Sequence, residues 1–221
     1  MKSLSPRLAG ILQWCIALPM PILLTLASLY VVMTPQFIAW EYAQPNFPPA
    51  QLFTPEARFY NAAQTVAYTR GEISEQQLID LRVYNEREIK HLVDVYKVTR
   101  VVFVVAPLAL VLVAVSLALL LRGRGTRGAA GRGLFYGGIL TFAFIGAVGL
   151  FSVFAFDSFF VTFHHIFFEG DTWLFSYTDS LIQFYPVEFW MAASYAIALI
   201  VLVGTIVVTA VGGWLMRRSA R

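Results

Sequence analysis

The chain has 221 residues, 58% of them hydrophobic and only 13% charged, with a net charge of +3. A soluble domain carries about 25% charged residues, so this composition excludes an ordinary soluble enzyme and points to a membrane protein. The positive balance does not point to nucleic acid. All 13 acidic residues fall within 34–100 and 157–189, whereas the N-terminus, residues 122–133 and the C-terminus hold nine Lys/Arg and no acid. That is the signature of cytoplasmic segments.

Crossing about 30 Å of hydrocarbon takes about 20 apolar residues. Four runs qualify: Leu8–Met33, Val101–Leu121, Leu134–Phe156 and Trp190–Met216. Within lipid every backbone polar group needs an internal partner, so each run is expected to be a helix. Pro19, Pro21 and Pro107 lie inside these runs and are expected to kink rather than break them, because neighbouring helices can satisfy the freed carbonyls. The predicted fold class is an all-α membrane protein of four transmembrane helices in a single integral membrane domain. Arg122, Arg124, Arg127 and Arg132 in the inner loop, Lys2 and Arg7 at one end, and Arg217, Arg218 and Arg221 at the other set both termini in the cytoplasm. The two acidic segments then form an extracytoplasmic cap. The first apolar run is longer than a signal-peptide core of about 7–15 residues and is expected to stay as an uncleaved helix. Cys15, the single cysteine, lies inside it and forms no disulfide within the chain.

The first outer segment opens with Pro35, Pro45, Pro48 and Pro49, which predicts an extended, helix-averse stretch. Thr54-Pro55-Glu56 reads as a helix start, with N-cap, proline and first-turn acid in order. Gly71 interrupts, and Ser74 with Glu75 and Gln77 marks a second start. From there the pattern predicts one helix running through Leu78, Leu81, Ile89 and His91 into the second span. His91 then lies about 15 Å before Val101, just above the outer membrane surface. In the second outer segment eleven of 33 residues are aromatic. Aromatic rings favour the headgroup level, which predicts a loop lying in, or dipping into, the outer leaflet.

The residues able to carry chemistry are few. Glu88, His91 and Asp94 are spaced by three and share a helix face. A carboxylate beside an imidazole can fix its tautomer and raise its basicity. His164 and His165 sit in an apolar context, where ionisable groups are costly and mark functional sites. If they lie on a helix, adjacent side chains diverge by about 100°, so one of the two faces a shared pocket. A metal reading would draw on His91, Asp94, Glu88 and one of His164 or His165, but no compact ligand motif accompanies them. There is no GxSxG elbow, no P-loop and no Rossmann fingerprint. The glycines at 123, 125, 128, 131 and 133 read as an Arg-rich connector.

Glu86-Arg87-Glu88-Ile89-Lys90-His91-Leu92-Val93-Asp94-Val95, followed by Phe163-His164-His165-Ile166-Phe167-Phe168-Glu169-Gly170-Asp171-Thr172-Trp173-Leu174-Phe175, resembles a four-span integral membrane family, that of the bacterial lipoprotein intramolecular transacylases. Asp179, Leu181, Ile182, Pro186, Phe189 and Trp190 match its continuation into the last span, and the resemblance runs from about Pro35 to Met191. It implies an acyltransferase of the bacterial cytoplasmic membrane, acting on diacylated lipoproteins at the extracytoplasmic face, with membrane lipid around it and no cofactor, metal or nucleic acid. The acyl chain at the sn-2 ester of a diacylglyceryl-cysteine moves to the α-amino group of that cysteine, leaving an N-acyl lyso-lipoprotein. The family's two functional histidines map onto His91 and His164; His165 is a departure from its usual pattern. Asp94 is expected to orient His91, Asp171 or Asp179 to orient His164, and Phe163, Phe167 and Trp173 to line the acyl site. The competing readings are a membrane lipid-ester hydrolase using the same histidines, and a non-catalytic protein whose aromatic loop holds a lipid or partner helix.

Overall fold

The computed structural model describes residues 4–219 except Glu169 and Asp171; Lys2, Asp171 and Arg221 lie outside the described residues. Among the described residues the regular secondary structure is all helical, with no strand. The helices are α1 (Pro6–Ala17), α2 (Met20–Val32), α3 (Pro35–Tyr42), α4 (Pro55–Thr69), α5 (Glu75–Ile79), α6 (Glu86–Arg122), α7 (Arg127–Phe154), α8 (Phe156–Phe167), α9 (Ser180–Phe184) and α10 (Val187–Ser219). Four stretches are long and apolar enough to cross a membrane: Pro6–Val32, Glu86–Arg122, Arg124–Ser152 and Val187–Ser219. The four expected spans are therefore present. At 1.5 Å per residue the 37 residues of α6 reach about 55 Å, well beyond ~30 Å of hydrocarbon. Its polar first part, up to Arg100, thus stands clear of the apolar run that begins at Val101.

Local chemistry accounts for the helix ends. Ser5, Thr34 and Thr54 each cap a helix whose first residue is proline, a position where the missing N–H is no loss. The stretch from Pro35 is accordingly helical to Tyr42, not extended: Thr34 Oγ1 accepts from the Phe37 N–H at 3.2 Å, and Pro35 starts the helix rather than blocking it. Leu18 and Pro19 separate α1 from α2, a two-residue interruption where a kink was expected, while Pro107 sits inside an unbroken α6. Ser74 and Gln77 form the predicted capping box of α5. The helix does not continue into α6, however. It stops at Ile79, Arg82 takes a positive φ of 57°, and a new box starts α6: Asn85 Oδ1 accepts from the Glu88 N–H at 3.0 Å while Glu88 Oε2 accepts from the Asn85 N–H at 2.8 Å. The aromatic segment after 157 is likewise not a plain loop; it contains α8 and α9.

The chain divides into two compact units. One comprises the N-terminal helices to Ser28 with Val104–Val153 and the chain from Ala198 onward. Its core gathers Ile16, Met20, Val113, Leu120, Ala130 and Leu134. Gly128, Gly131 and Gly133 belong to α7 rather than to a connector, and Gly131 and Gly133 let helices touch backbone to backbone. A Cβ on Gly212 would lie 2.5 Å from the Phe135 nitrogen and 2.7 Å from the Gly131 carbonyl oxygen. Neither backbone atom can swing aside. Gly212→Val is expected to destabilise this unit by about 1–3 kcal/mol through overpacking, read as a lower Tm of the purified protein in detergent; an unchanged Tm would contradict this packing.

The other unit comprises Leu29–Phe103 and Phe154–Ile197. Its core includes Ile38, Ala62, Leu78, Leu92, Phe184 and Tyr185, and α4 packs against α3, α5 and α9. Two buried hydroxyls pin α9 in place: Tyr42 donates to the Phe184 carbonyl at 2.7 Å, and Tyr185 donates to the Ala62 carbonyl at 2.6 Å. All three histidines lie in this unit.

Candidate active site

The site grows from two helix ends. His91 lies in the second turn of α6, just after the Asn85–Glu88 box, and His164 in the last turn of α8. The imidazoles face each other nearly in parallel, with ring centroids 6.3 Å apart and 23° between the planes. Aromatic rings enclose the pair. Phe168 touches both, at 4.9 Å from His91 and 5.5 Å from His164. Phe175 closes over His91 at 5.3 Å. Phe160 at 4.1 Å, Trp173 at 4.7 Å and Phe163 at 5.5 Å surround His164. Trp173 is itself buried and anchored by its indole N–H on the Gly170 carbonyl at 3.1 Å.

Hydrogen bonding sets the state of one ring. His164 Nδ1 lies 2.7 Å from the Phe160 carbonyl oxygen. A carbonyl only accepts, so Nδ1 carries the proton and Nε2 keeps its lone pair. His91 Nδ1 is buried with no hydrogen-bond partner, and only 9% of that residue is exposed. The surroundings keep both rings neutral near pH 7. Burial, together with the neighbouring His164, pushes His91 down to about 4 against a smaller opposing pull from Asp94. Burial also lowers His164, partly offset by its bond to the Phe160 carbonyl.

The carboxylates expected around the rings hold other partners. Asp94 accepts from Lys97 Nζ at 2.9 Å. Glu88, 1% exposed, accepts backbone N–H from Asn85 at 2.8 Å and from Leu181 at 2.7 Å, and burial raises its pKa. Asp179 accepts from Asn85 Nδ2 and Arg87 at 3.0 Å each and from the Ser176 N–H at 2.7 Å. The group that orients His164 is thus a main-chain carbonyl, four residues back on its own helix. His165 points elsewhere: it is exposed and meets Trp173 edge-on at 5.6 Å. Phe163 and Phe167 meet at a tilt of 49° with centroids 4.9 Å apart, each about half exposed.

Phe160, Phe168 and Phe175 complete the enclosure, and the sequence reading did not single them out. Phe160 carried a usable signal, since its carbonyl belongs to the residue four before His164 on any helix. Ser180 directs its hydroxyl to the Val83 carbonyl and is not placed as a nucleophile. Among the described residues no three His, Cys, Asp or Glu side chains gather closely enough to hold a metal ion. What the site offers is two neutral imidazoles in an aromatic enclosure, with Nε2 of His164 left as an acceptor. Such a pair can take a proton from one atom and supply one to another.

Comparison with known proteins places the chain in a family. The chain is 26% identical over 182 residues to an uncharacterised protein of Aquifex aeolicus (strain VF5), covering 78% of this chain and 80% of that one. Its fold matches the membrane-integral lipoprotein intramolecular transacylase Lit of Bacillus cereus, with a TM-score of 0.79 at 23% identity and 97% of each chain covered. A variant of that enzyme with one histidine replaced by alanine matches at a TM-score of 0.77 and 22% identity, covering 97% of this chain and 96% of that one. The family described as lipoprotein intramolecular transacylase Lit matches residues 13–190, so this multi-pass membrane chain, with its two facing imidazoles, belongs to that acyltransferase family.

Proposed function

We propose that the protein moves the sn-2 acyl chain of a diacylglyceryl-cysteine lipoprotein onto the α-amino group of the same cysteine, with His164 as base and then acid and His91 as hydrogen-bond donor. The observation that carries this assignment is the 2.7 Å contact of His164 Nδ1 with the Phe160 carbonyl, opposite a His91 whose Nδ1 has no partner. With Nδ1 holding a proton, His164 Nε2 is the atom able to accept one. For His91, a buried Nδ1 without an acceptor favours the tautomer in which Nε2 carries the proton, because an unmade N–H bond is expensive.

The steps balance as follows. The substrate amine enters neutral, its ammonium form having a pKa near ~8. As its nitrogen attacks the ester carbonyl and forms the C–N bond, that nitrogen passes its surplus proton to His164 Nε2. The Nε2–H of His91 donates to the oxygen where negative charge develops. On collapse the bond to the glyceryl oxygen breaks, and that oxygen takes the proton held by the His164 imidazolium, which restores both rings. Amine and ester belong to one molecule, so holding them together replaces much of an entropic barrier and no acyl-enzyme is needed. Phe160, Phe163, Phe168, Trp173 and Phe175 suit this substrate: they exclude water and offer apolar walls to acyl chains. The Lys/Arg distribution supports a site on the extracytoplasmic face of the bacterial cytoplasmic membrane, with both termini inside and the two acidic segments as a cap.

The test is mass spectrometry of the N-terminal lipopeptide of a diacylated lipoprotein before and after incubation with the purified protein. Unchanged mass with an acyl chain relocated to the amine supports the reading. Loss of one chain identifies a hydrolase, and no change identifies a binding protein. His165→Ala is expected to retain activity within about tenfold, since that ring lies outside the enclosure and alters only the field at His164. A loss as large as that of His164→Ala, measured in the same assay, would reverse the choice between the two rings.

A further inference from the structure

Glu88 is the most buried acidic residue among the described residues of this unit, and its hydrogen-bond partners are backbone N–H groups rather than either imidazole. Its two oxygens each take a backbone N–H. One belongs to Asn85 at the start of its own helix; the other belongs to Leu181, in the first turn of α9. Helix starts leave such N–H groups without partners, so a carboxylate from another helix is a substitute cap. Beside it a second tie runs outward: Asp179 binds Asn85 Nδ2 and Arg87, and closes the turn back to the Ser176 N–H. Ser180 adds its bond to the Val83 carbonyl. Residues 176–181 are therefore fastened to residues 83–88 by a clasp whose inner half is Glu88 and whose outer half is Asp179.

What the clasp holds is the wall of the histidine pocket. Phe175 precedes the clasped turn directly and lies both over His91 and under the Arg87 guanidinium, 5.6 Å from the ring. Trp173, two residues earlier, covers His164. The carboxylate sits three residues before His91, one turn away on the same helix, so movement of the clasp is transmitted to the imidazole and to the rings above it.

We propose that Glu88 is a positioning residue that keeps the pocket closed to water, so that the acyl group passes to the amine rather than being hydrolysed. This rests on the transacylase reading above. With the clasp loosened, water reaches the sn-2 carbonyl in place of the amine. The C–O bond to glycerol breaks, a fatty acid leaves, and the product keeps a free amine and a new glyceryl hydroxyl. Ester and enzyme are the same in both reactions; only the attacking atom differs.

Glu88→Gln tests this with little change in shape. An amide has one acceptor oxygen, and its NH2 faces whichever N–H remains. N-acylation kcat is expected to fall about 100-fold, the scale of a displacement of about 1 Å at a reacting centre, with KM little changed. The ratio of free fatty acid to N-acyl product is expected to rise about tenfold, the scale of one unmade buried hydrogen bond. Partial unfolding lowers both products together and leaves the ratio untouched, so the ratio separates positioning from mere stability. Should Glu88→Gln yield no active protein, Asp179→Asn decides the matter with a smaller change of the same sign. A wild-type ratio in the active variant overturns the inference while leaving the transacylase reading intact. A wild-type protein that forms no N-acyl product overturns both.

Discussion

Replacing His164 by alanine lowers N-acylation by about 10²–10⁴-fold, the usual contribution of a positioned acid–base group, while the protein is still made and inserted. The expectation follows from where the ring sits. Its Nδ1 is held by the Phe160 carbonyl, so Nε2 keeps its lone pair, on a ring that lies 6.3 Å from that of His91. Alanine removes the base without disturbing a buried hydrogen-bond network, because the Phe160 carbonyl already serves as the helical acceptor of the following turn. His91→Ala is expected to fall in the same range through loss of the donor to the developing oxyanion. The two effects should not add in the double variant, since the rings act on one proton inventory. Initial rates on a diacylated lipopeptide, with variant levels checked by immunoblot, decide this. A His91→Ala or His164→Ala protein with wild-type rates would remove the assignment.

The second large effect is on pH. Burial lowers both histidines, His91 to about 4, so each is neutral at pH 7. Only neutral His164 can act as base. The rate is therefore expected to fall as pH drops through its lowered pKa, below the ordinary histidine value near 6.5. No imidazole limb is expected on the alkaline side, because neutral His91 already carries the N–H it donates. If His91 acted as imidazolium instead, activity would decline above about pH 4, which a kcat–pH profile distinguishes at once. Stability moves in the same direction. A histidine whose folded pKa is depressed binds fewer protons folded than unfolded, so the fold loses stability as pH falls below about 6.5 and the loss levels off near the folded pKa. Between pH 7 and 4 the Tm of the wild-type protein should fall relative to that of His91→Ala, a comparison that cancels the opposite contribution of buried Glu88; an unchanged difference would contradict neutral burial of the ring.

The spans were legible because length and apolarity alone demand them, and Lys/Arg placement adds no ambiguity about which segments are polar. Thr54-Pro55 and Ser74 also read correctly, since a cap is a local device. Thr34-Pro35 carried the same signature as Thr54-Pro55 and was masked by the prolines that follow it at 45, 48 and 49. The break between α5 and α6 turns on the positive φ of Arg82, which no side chain announces, although Asn85 and Glu88 spell a capping box once sought. Aromatic density hid α8, because rings on every face obscure a helical period. The histidines stood out as the few ionisable groups in apolar surroundings. Their neighbours did not. Spacing by three brought Glu88 and Asp94 onto the helix of His91, but Lys97 lies one turn further for Asp94, and the unmet N–H of Leu181 lies 93 residues away for Glu88. Which partner a carboxylate takes is decided by packing across the fold, and sequence pattern shows only those on its own helix.

In the proposed reaction the acyl chain travels within one lipoprotein molecule. The most direct measurement is a crossover experiment: a lipopeptide with isotopically heavy acyl chains and a heavy peptide is mixed with its fully light counterpart and incubated with the purified protein. The account predicts N-acylated products that are wholly heavy or wholly light. Products pairing a heavy chain with a light peptide would show transfer between molecules and contradict it.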